Sequence, residues 1–161
     1  MTSILLKLAE EAGNLLHQKN LKITTAESCT GGALGYWITA IPGSSAWFEQ
    51  GVIAYSNQAK IEMLAVQAVT LKKFGAVSEE VVQEMATGAL KKSHADVSIA
   101  ITGIAGPGGA SIQKPVGLVW VAWASLHFSL IAEAQIFPGN REDIRLAAVK
   151  KSLEKLLILL S

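Results

Sequence analysis

Lys22-Ile-Thr-Thr-Ala-Glu-Ser-Cys-Thr-Gly-Gly32 is the stretch that decides the fold of this chain. Residues 22 to 27 are mostly β-branched or apolar, the composition of a strand. Two glycines then open a helix-like stretch, residues 31 to 40, which ends before Pro42-Gly43. A small nucleophilic side chain, Ser28, therefore stands where a strand ends and a helix begins. In open α/β sheets, ligands bind just outside the carboxyl ends of strands. Backbone amides at a helix start can hold a phosphate or a developing oxyanion. A plain tight turn uses the same residues, so the reading depends on the rest of the chain.

Outward from this stretch, strand and helix patterns alternate. Residues 3 to 19 carry Leu5, Leu8, Ala12, Leu15 and Leu16 at helical spacing, and Asn20 is a stop. Gln50 to Ser56 reads as a second strand, and Asn57 as the cap of a short helix, residues 58 to 64. Ser78 caps a longer helix with Glu79 and Glu80 in its first turn and Lys91 and Lys92 near its last, the order that complements the helix dipole. Val97 to Thr102 is a third strand leading into Gly103-Ile-Ala-Gly-Pro-Gly-Gly109. Residues 116 to 125 and 128 to 137 form a hairpin, and Asn140 caps a final helix to Leu160. Leu146, Val149, Leu153, Leu156 and Leu160 give that helix one apolar stripe. The order predicts an α/β fold: a three-layer α/β/α sandwich with a mixed, mainly parallel sheet. No repeat or linker divides the chain, so residues 1 to 161 are expected to be one domain.

Half of the 161 residues are hydrophobic and only 17% are charged. Mean hydropathy is +0.36. That composition fits a sheet covered on both faces, a large subunit interface, or both; a homo-oligomer, first of all a dimer, is the expected assembly. A net charge of +1 supplies no field for nucleic acid, so no nucleic-acid partner is expected. Residues 115 to 132 are apolar, but Gly117, Ser125, His127 and Ser129 interrupt them, and paired strands fit better than a membrane span. No membrane partner is expected. The N-terminus shows no basic flank followed by an apolar core, which predicts a cytoplasmic protein. Cys29 is the only cysteine, which leaves no internal disulfide and no cysteine-rich metal site.

Three strand exits carry polar or glycine-rich character: Ser28 to Gly32, Tyr55-Ser56-Asn57 followed by Lys60, and Gly103 to Gly109. Neither glycine-rich loop is a P-loop or a dinucleotide fingerprint. Lys60 falls in a first helical turn, where a cation is unfavourable. It is either solvated or held at the site, where burial and the dipole disfavour its charged form and fit it to act as a base toward serine. His17, His94 and His127 lie outside all three exits, so a Ser–His–Asp triad is hard to build. Cys29 is a rival nucleophile with no histidine placed to activate it, and packing is its other use. Arg141 and Arg145 share one face of the final helix, as phosphate contacts or as partners of nearby acids. Trp120 and Trp123 face opposite sides of a strand and form no stacking platform.

Thr25-Ala-Glu-Ser-Cys-Thr-Gly-Gly32, Gly43-Ser-Ser-Ala-Trp-Phe48, Tyr55-Ser-Asn57 with Lys60, Gly75-Ala-Val-Ser78, Gly103-Ile-Ala-Gly-Pro107, Lys114-Pro-Val-Gly117 and Phe137-Pro-Gly139 with Arg141 occur in that order. This series resembles the CinA C-terminal domain family in its stand-alone form, over nearly the whole chain. Two departures are Asn140, where the family often has aspartate, and Gly108-Gly109-Ala110, where one variant of the loop bears aspartate.

The resemblance implies nicotinamide-nucleotide amidohydrolase activity: nicotinamide mononucleotide becomes nicotinate mononucleotide and ammonia, a step in pyridine nucleotide recycling. It implies Ser28 as nucleophile, Lys60 as its partner in a Ser–Lys dyad and Tyr55 as an assisting tyrosine. No metal and no cofactor are implied. Cys29, Thr30, Gly31, Gly32, Asn57, Gly103, Ile104, Ala105, Gly106, Arg141 and Arg145 are the expected substrate contacts, with amides near Cys29 to Gly31 as the oxyanion hole. Activities of the additional N-terminal domain of larger CinA proteins are not carried over. A non-catalytic nucleotide-binding or competence-associated module is the rival reading, and the joint presence of Ser28, Tyr55 and Lys60 argues for the enzyme.

Overall fold

The structure, a computed structural model, describes all 161 residues. Its elements are α1 (Thr2–Gln18), β1 (Ile23–Glu27), α2 (Ala33–Thr39), β2 (Phe48–Ile53), α3 (Asn57–Leu64), α4 (Ala68–Phe74), α5 (Glu79–Lys91), β3 (Val97–Gly103), β4 (Leu118–Ser125), β5 (Ile131–Ile136) and α6 (Arg141–Leu160). One five-stranded sheet has the order β2-β1-β3-β4-β5. β1 pairs parallel with both β2 and β3, whereas β4 is antiparallel to β3 and to β5. Four strands therefore point one way and β4 alone runs back, the mixed, mainly parallel sheet that the alternation predicts.

Strand periodicity divides the core into two layers. Ile23, Val97, Ile99, Ile101, Val119, Val121 and Trp123 face α1, α2 and α6, where they meet Leu5, Leu16, Leu34, Val149, Leu153 and Leu156. The other face is built from Ala26, Ala100, Ala122 and Ala124, which let α5 lie close. Burying a Leu- or Ile-sized side chain stabilises by about 1.5–3 kcal/mol, so the first layer holds the sheet firmly against α1, α2 and α6. Trp123 and Trp120 fall on opposite faces, as the odd spacing requires. No helix is long and apolar enough to cross a membrane.

Three local differences from the sequence reading matter for the site. β2 starts and stops earlier than Gln50–Ser56, because it ends where its partner ends: Glu27 is opposite Ile53. Tyr55 therefore does not end a strand but lies in the turn after it. The cap of α3 is Ser56, not Asn57: Ser56 is extended and its hydroxyl accepts from the Ala59 amide at 3.0 Å. A further helix, α4, occupies residues that carry no clear helical signal; it is short and ends at Gly75. α5 then seats the α3 end closely. A Cβ at Gly88 would lie 1.7 Å from the Leu64 carbonyl oxygen, so only glycine allows this approach. Ser78 and Asn140 cap as expected, the latter in a capping box with Asp143.

Candidate active site

β1 lies between β2 and β3, so the exits of the three strands meet at one edge of the sheet. They surround a cavity of about 290 Å³. Ser28, Cys29, Tyr55, Asn57, Lys60, Gly103, Ile104, Ala105, Gly106 and Arg141 all line it. Thr30, Gly31, Gly32 and Arg145 do not. Thr30 is fully buried beneath the turn. Gly31, Gly32 and Arg145 line a separate hollow with Tyr36 and Trp37. Arg145 donates to the Thr30 carbonyl at 2.8 Å, so it braces the back of the turn. Residues that sequence reasoning left out also enter the cavity: Ala76 and Val77 from the turn before α5, and Thr102 from the end of β3. Thr102 Oγ1 donates to the Ala76 carbonyl at 2.9 Å and ties the two together. Val77 was accessible only through the Gly75–Ser78 motif, which names no chemistry.

Lys60 is the most unusual residue of the fold. Only 1% of it is exposed, in a helix whose remaining lining is apolar. Its Nζ lies 3.0 Å from each of three oxygens: Ser28 Oγ, the Ala54 carbonyl and the Tyr55 carbonyl. Burial lowers its pKa from the ordinary lysine value of 10.5, while the nearby Cys29 opposes that shift. A neutral amine has two N–H groups and one lone pair. The two carbonyls take the N–H groups, and the lone pair then points at the Ser28 hydroxyl. Burial thus favours the base form, and in that form the two carbonyls aim its lone pair at Ser28.

Cys29 has the opposite setting. Burial pushes its thiol up to about 11, with Glu27 adding to the shift and its own amide, Arg145 and Arg141 opposing it. It is a packed thiol beside Ser28. None of the three histidines lines the cavity.

The amides of the turn divide sharply. Ser28 donates to the Ile101 carbonyl, and Gly31 to the Ser28 carbonyl. Gly32, Leu34 and Gly35 donate to the Glu27 carboxyl group. Gly31 is thereby unavailable as an oxyanion donor. The Cys29 and Thr30 amides donate to no other residue. On the opposite side, the Ala105, Gly106, Gly108 and Gly109 amides are also free of protein acceptors. Arg141 spans the mouth, donating to the Gly106 carbonyl at 2.7 Å and to the Tyr55 hydroxyl at 2.9 Å. A guanidinium has five N–H donors, so three remain for a ligand. The Tyr55 phenol reaches neither Ser28 nor Lys60; only its main-chain carbonyl touches the lysine.

Fold and cavity define an α/β protein with a buried serine–lysine pair at the carboxyl edge of its parallel strands. The model of the CinA C-terminal domain matches residues 5–160, and the chain belongs to that family. It is 49% identical over 154 residues to "Nicotinamide-nucleotide amidohydrolase PncC" of Escherichia coli strain K12, covering 96% of this chain and 93% of that protein. A protein of the same name from Pseudomonas putida is 46% identical over 150 residues, 93% of each chain. The crystal structure of competence/damage inducible protein CihA from Agrobacterium tumefaciens matches with a TM-score of 0.96 and 42% identity, covering 98% of this chain and 96% of that one.

Proposed function

We propose that this chain is a nicotinamide-nucleotide amidohydrolase that converts nicotinamide mononucleotide to nicotinate mononucleotide and ammonia through Ser28 and Lys60. The observation that carries the mechanism is the Lys60 amine, buried and held by two carbonyls 3.0 Å away, with Ser28 Oγ at the same distance. Neutral Lys60 takes the Ser28 proton as Oγ bonds to the carboxamide carbon. The Cys29 amide, which lines the cavity and has no protein acceptor, receives the developing oxyanion. The C–N bond then breaks, Lys60 returns its proton to nitrogen, and ammonia leaves. Water, deprotonated by Lys60, hydrolyses the Ser28 ester and regenerates the hydroxyl. The pyridinium of the substrate assists twice: it makes the carboxamide carbon more electrophilic, and its positive charge further disfavours protonated Lys60.

Arg141 and the free amides of Gly106, Gly108 and Gly109 are the donors available for ribose and phosphate. Asn57, Ile104 and the Ala76–Val77 turn shape the space between. Tyr55 serves by holding Arg141 rather than by relaying a proton. Residues 1 to 161 act as one catalytic domain, in the cytoplasm where its nucleotide substrate is, and as a homodimer that covers exposed Tyr36 and Ile53. Ammonia release from nicotinamide mononucleotide by purified protein tests the activity, and sedimentation tests the dimer. An inactive protein with intact fold would leave the binding-module reading in place.

A further inference from the structure

We propose that Glu27 is a positioning residue for Ser28, acting as the side-chain cap of α2 from outside the helix; this rests on Ser28 as nucleophile. The residue at the start of a helix ordinarily supplies a side-chain oxygen to the unpaired first-turn amides. Here that place is held by Gly32, at φ +94°, which has no side chain to offer. Glu27 replaces it. One carboxyl oxygen accepts from Gly32 at 3.1 Å and Leu34 at 3.0 Å, and the other from Gly35 at 2.9 Å. Only 1% of Glu27 is exposed, and no basic side chain pairs with it.

The consequence is geometric. The Glu27 carbonyl accepts from the Ala54 amide at 2.9 Å, and the Ala54 carbonyl in turn accepts from Lys60 Nζ. Ser28 is pinned to β3 through the Ile101 carbonyl. One residue thus connects the strand that carries the nucleophile, the segment that orients the base and the helix that closes the turn. Between its main chain and its side-chain anchor, the turn has a single path. That path leaves the Cys29 and Thr30 amides unspent. Glu27 also removes the α2 amides from competition for the substrate phosphate, which leaves that group to Arg141 and the Gly106–Gly109 side.

The test compares Glu27→Gln and Glu27→Asp with the parent and with Ser28→Ala. Glutamine keeps the shape but sets an NH2 group against a backbone N–H; aspartate withdraws the oxygens. Turnover is expressed per folded molecule. For Glu27→Gln, kcat is expected to fall about ten- to a hundredfold, with KM for nicotinamide mononucleotide within about twofold and the pH inflection unmoved. Glu27→Asp should retain more activity than Glu27→Gln. A kcat per folded molecule within about threefold of the parent, or a loss carried by KM, overturns the inference. Should either variant fail to fold, hydrogen exchange on the parent decides: Gly32, Leu34 and Gly35 amides must be protected while the Cys29 amide exchanges fast, and rapid exchange at the first three overturns it. Retained activity in Ser28→Ala would instead refute the nucleophile assignment.

Discussion

After β1 the chain takes residues 28–32 to enter a helix; after β3 it takes residues 104–117 to enter an antiparallel strand. Both exits are glycine-rich, and both line the same cavity. In the first, most amides are spent inside the turn: Ser28, Gly31 and Gly32 all find protein acceptors. In the second, Ala105, Gly106, Gly108 and Gly109 keep theirs free. An unpartnered amide that lines a cavity is available to solvent or a ligand. The difference separates two tasks that similar sequences conceal. The short exit holds Ser28 Oγ 3.0 Å from Lys60 Nζ. The long exit leaves unpartnered donors at the cavity.

The largest effects should come from the short exit and its base. Ser28→Ala should lower turnover by at least ~10³-fold with the fold intact, and mass spectrometry of trapped parent should place the nicotinoyl adduct on Ser28. An adduct on Cys29 would reverse the assignment. Lys60→Arg should fall by ~10²–10⁴-fold, since arginine stays protonated. In the parent, kcat/KM should rise with pH through an inflection below 10.5, the ordinary lysine value. The inflection in kcat should lie lower still, because bound pyridinium repels the ammonium form. Stability follows the same sign. With a lowered folded-state value, the unfolded chain binds more protons between the folded and unfolded pKa of Lys60, so the fold gains stability as pH rises through that window. A Lys60→Met variant should lose that rise.

The long exit predicts a smaller and substrate-dependent effect. Arg141→Ala removes the guanidinium that joins Gly106 to Tyr55 and carries three spare donors. One lost charge-assisted hydrogen bond is worth ~1.5–3 kcal/mol, roughly tenfold to a hundredfold in kcat/KM. Nicotinamide mononucleotide should show that loss, and nicotinamide riboside, which lacks the phosphate, should show little. Equal losses would make Arg141 a structural brace and move the phosphate to the free amides alone. Tyr55→Phe sharpens the same point. Its hydroxyl accepts only from Arg141, so the variant should cost about fivefold, mainly in KM and only for the phosphorylated substrate. A fall in kcat comparable to that of Lys60→Arg would restore Tyr55 as a proton relay.

The legible parts of this molecule are those that one residue type in one local pattern can encode. Ser28 at a strand exit, Lys60 in a first turn and Asn140 before a final helix each announce themselves, and the structure seats Ser28 and Asn140 where their patterns predict. Burial of Lys60 was one of two open readings, because whether a lysine is solvated depends on α5, which closes over α3 by way of Gly88. Substrate contact by Gly31 and Gly32 is expected because helix-start amides hold anions, and by Arg145 because it shares a helix face with Arg141. Glu27 takes the Gly32, Leu34 and Gly35 amides, the Gly31 amide donates to the Ser28 carbonyl, and Arg145 donates to the Thr30 carbonyl; at the end of a strand pattern, Glu27 carries no local signal of a cap. The ends of β2 differ from the sequence expectation because they are set by pairing with β1, which no residue within β2 encodes.

The smallest effect expected is at Cys29, and it is the one that most directly isolates main chain from side chain in the short exit. The thiol is 7% exposed, and burial raises its pKa to about 11. At pH 7 about one molecule in ten thousand carries the thiolate, too few for a nucleophile that competes with Ser28. What Cys29 offers is its amide, which alanine retains. Cys29→Ala should therefore keep kcat/KM within about threefold, and lose ~1 kcal/mol of stability from the sulfur's packing. The parent should resist alkylation by iodoacetamide at neutral pH and become reactive only near the raised pKa. If Cys29→Ala instead abolished turnover with the fold intact, the side chain and not the amide would be the working part, and the division between a closed exit for chemistry and an open exit for binding would fail at its first residue.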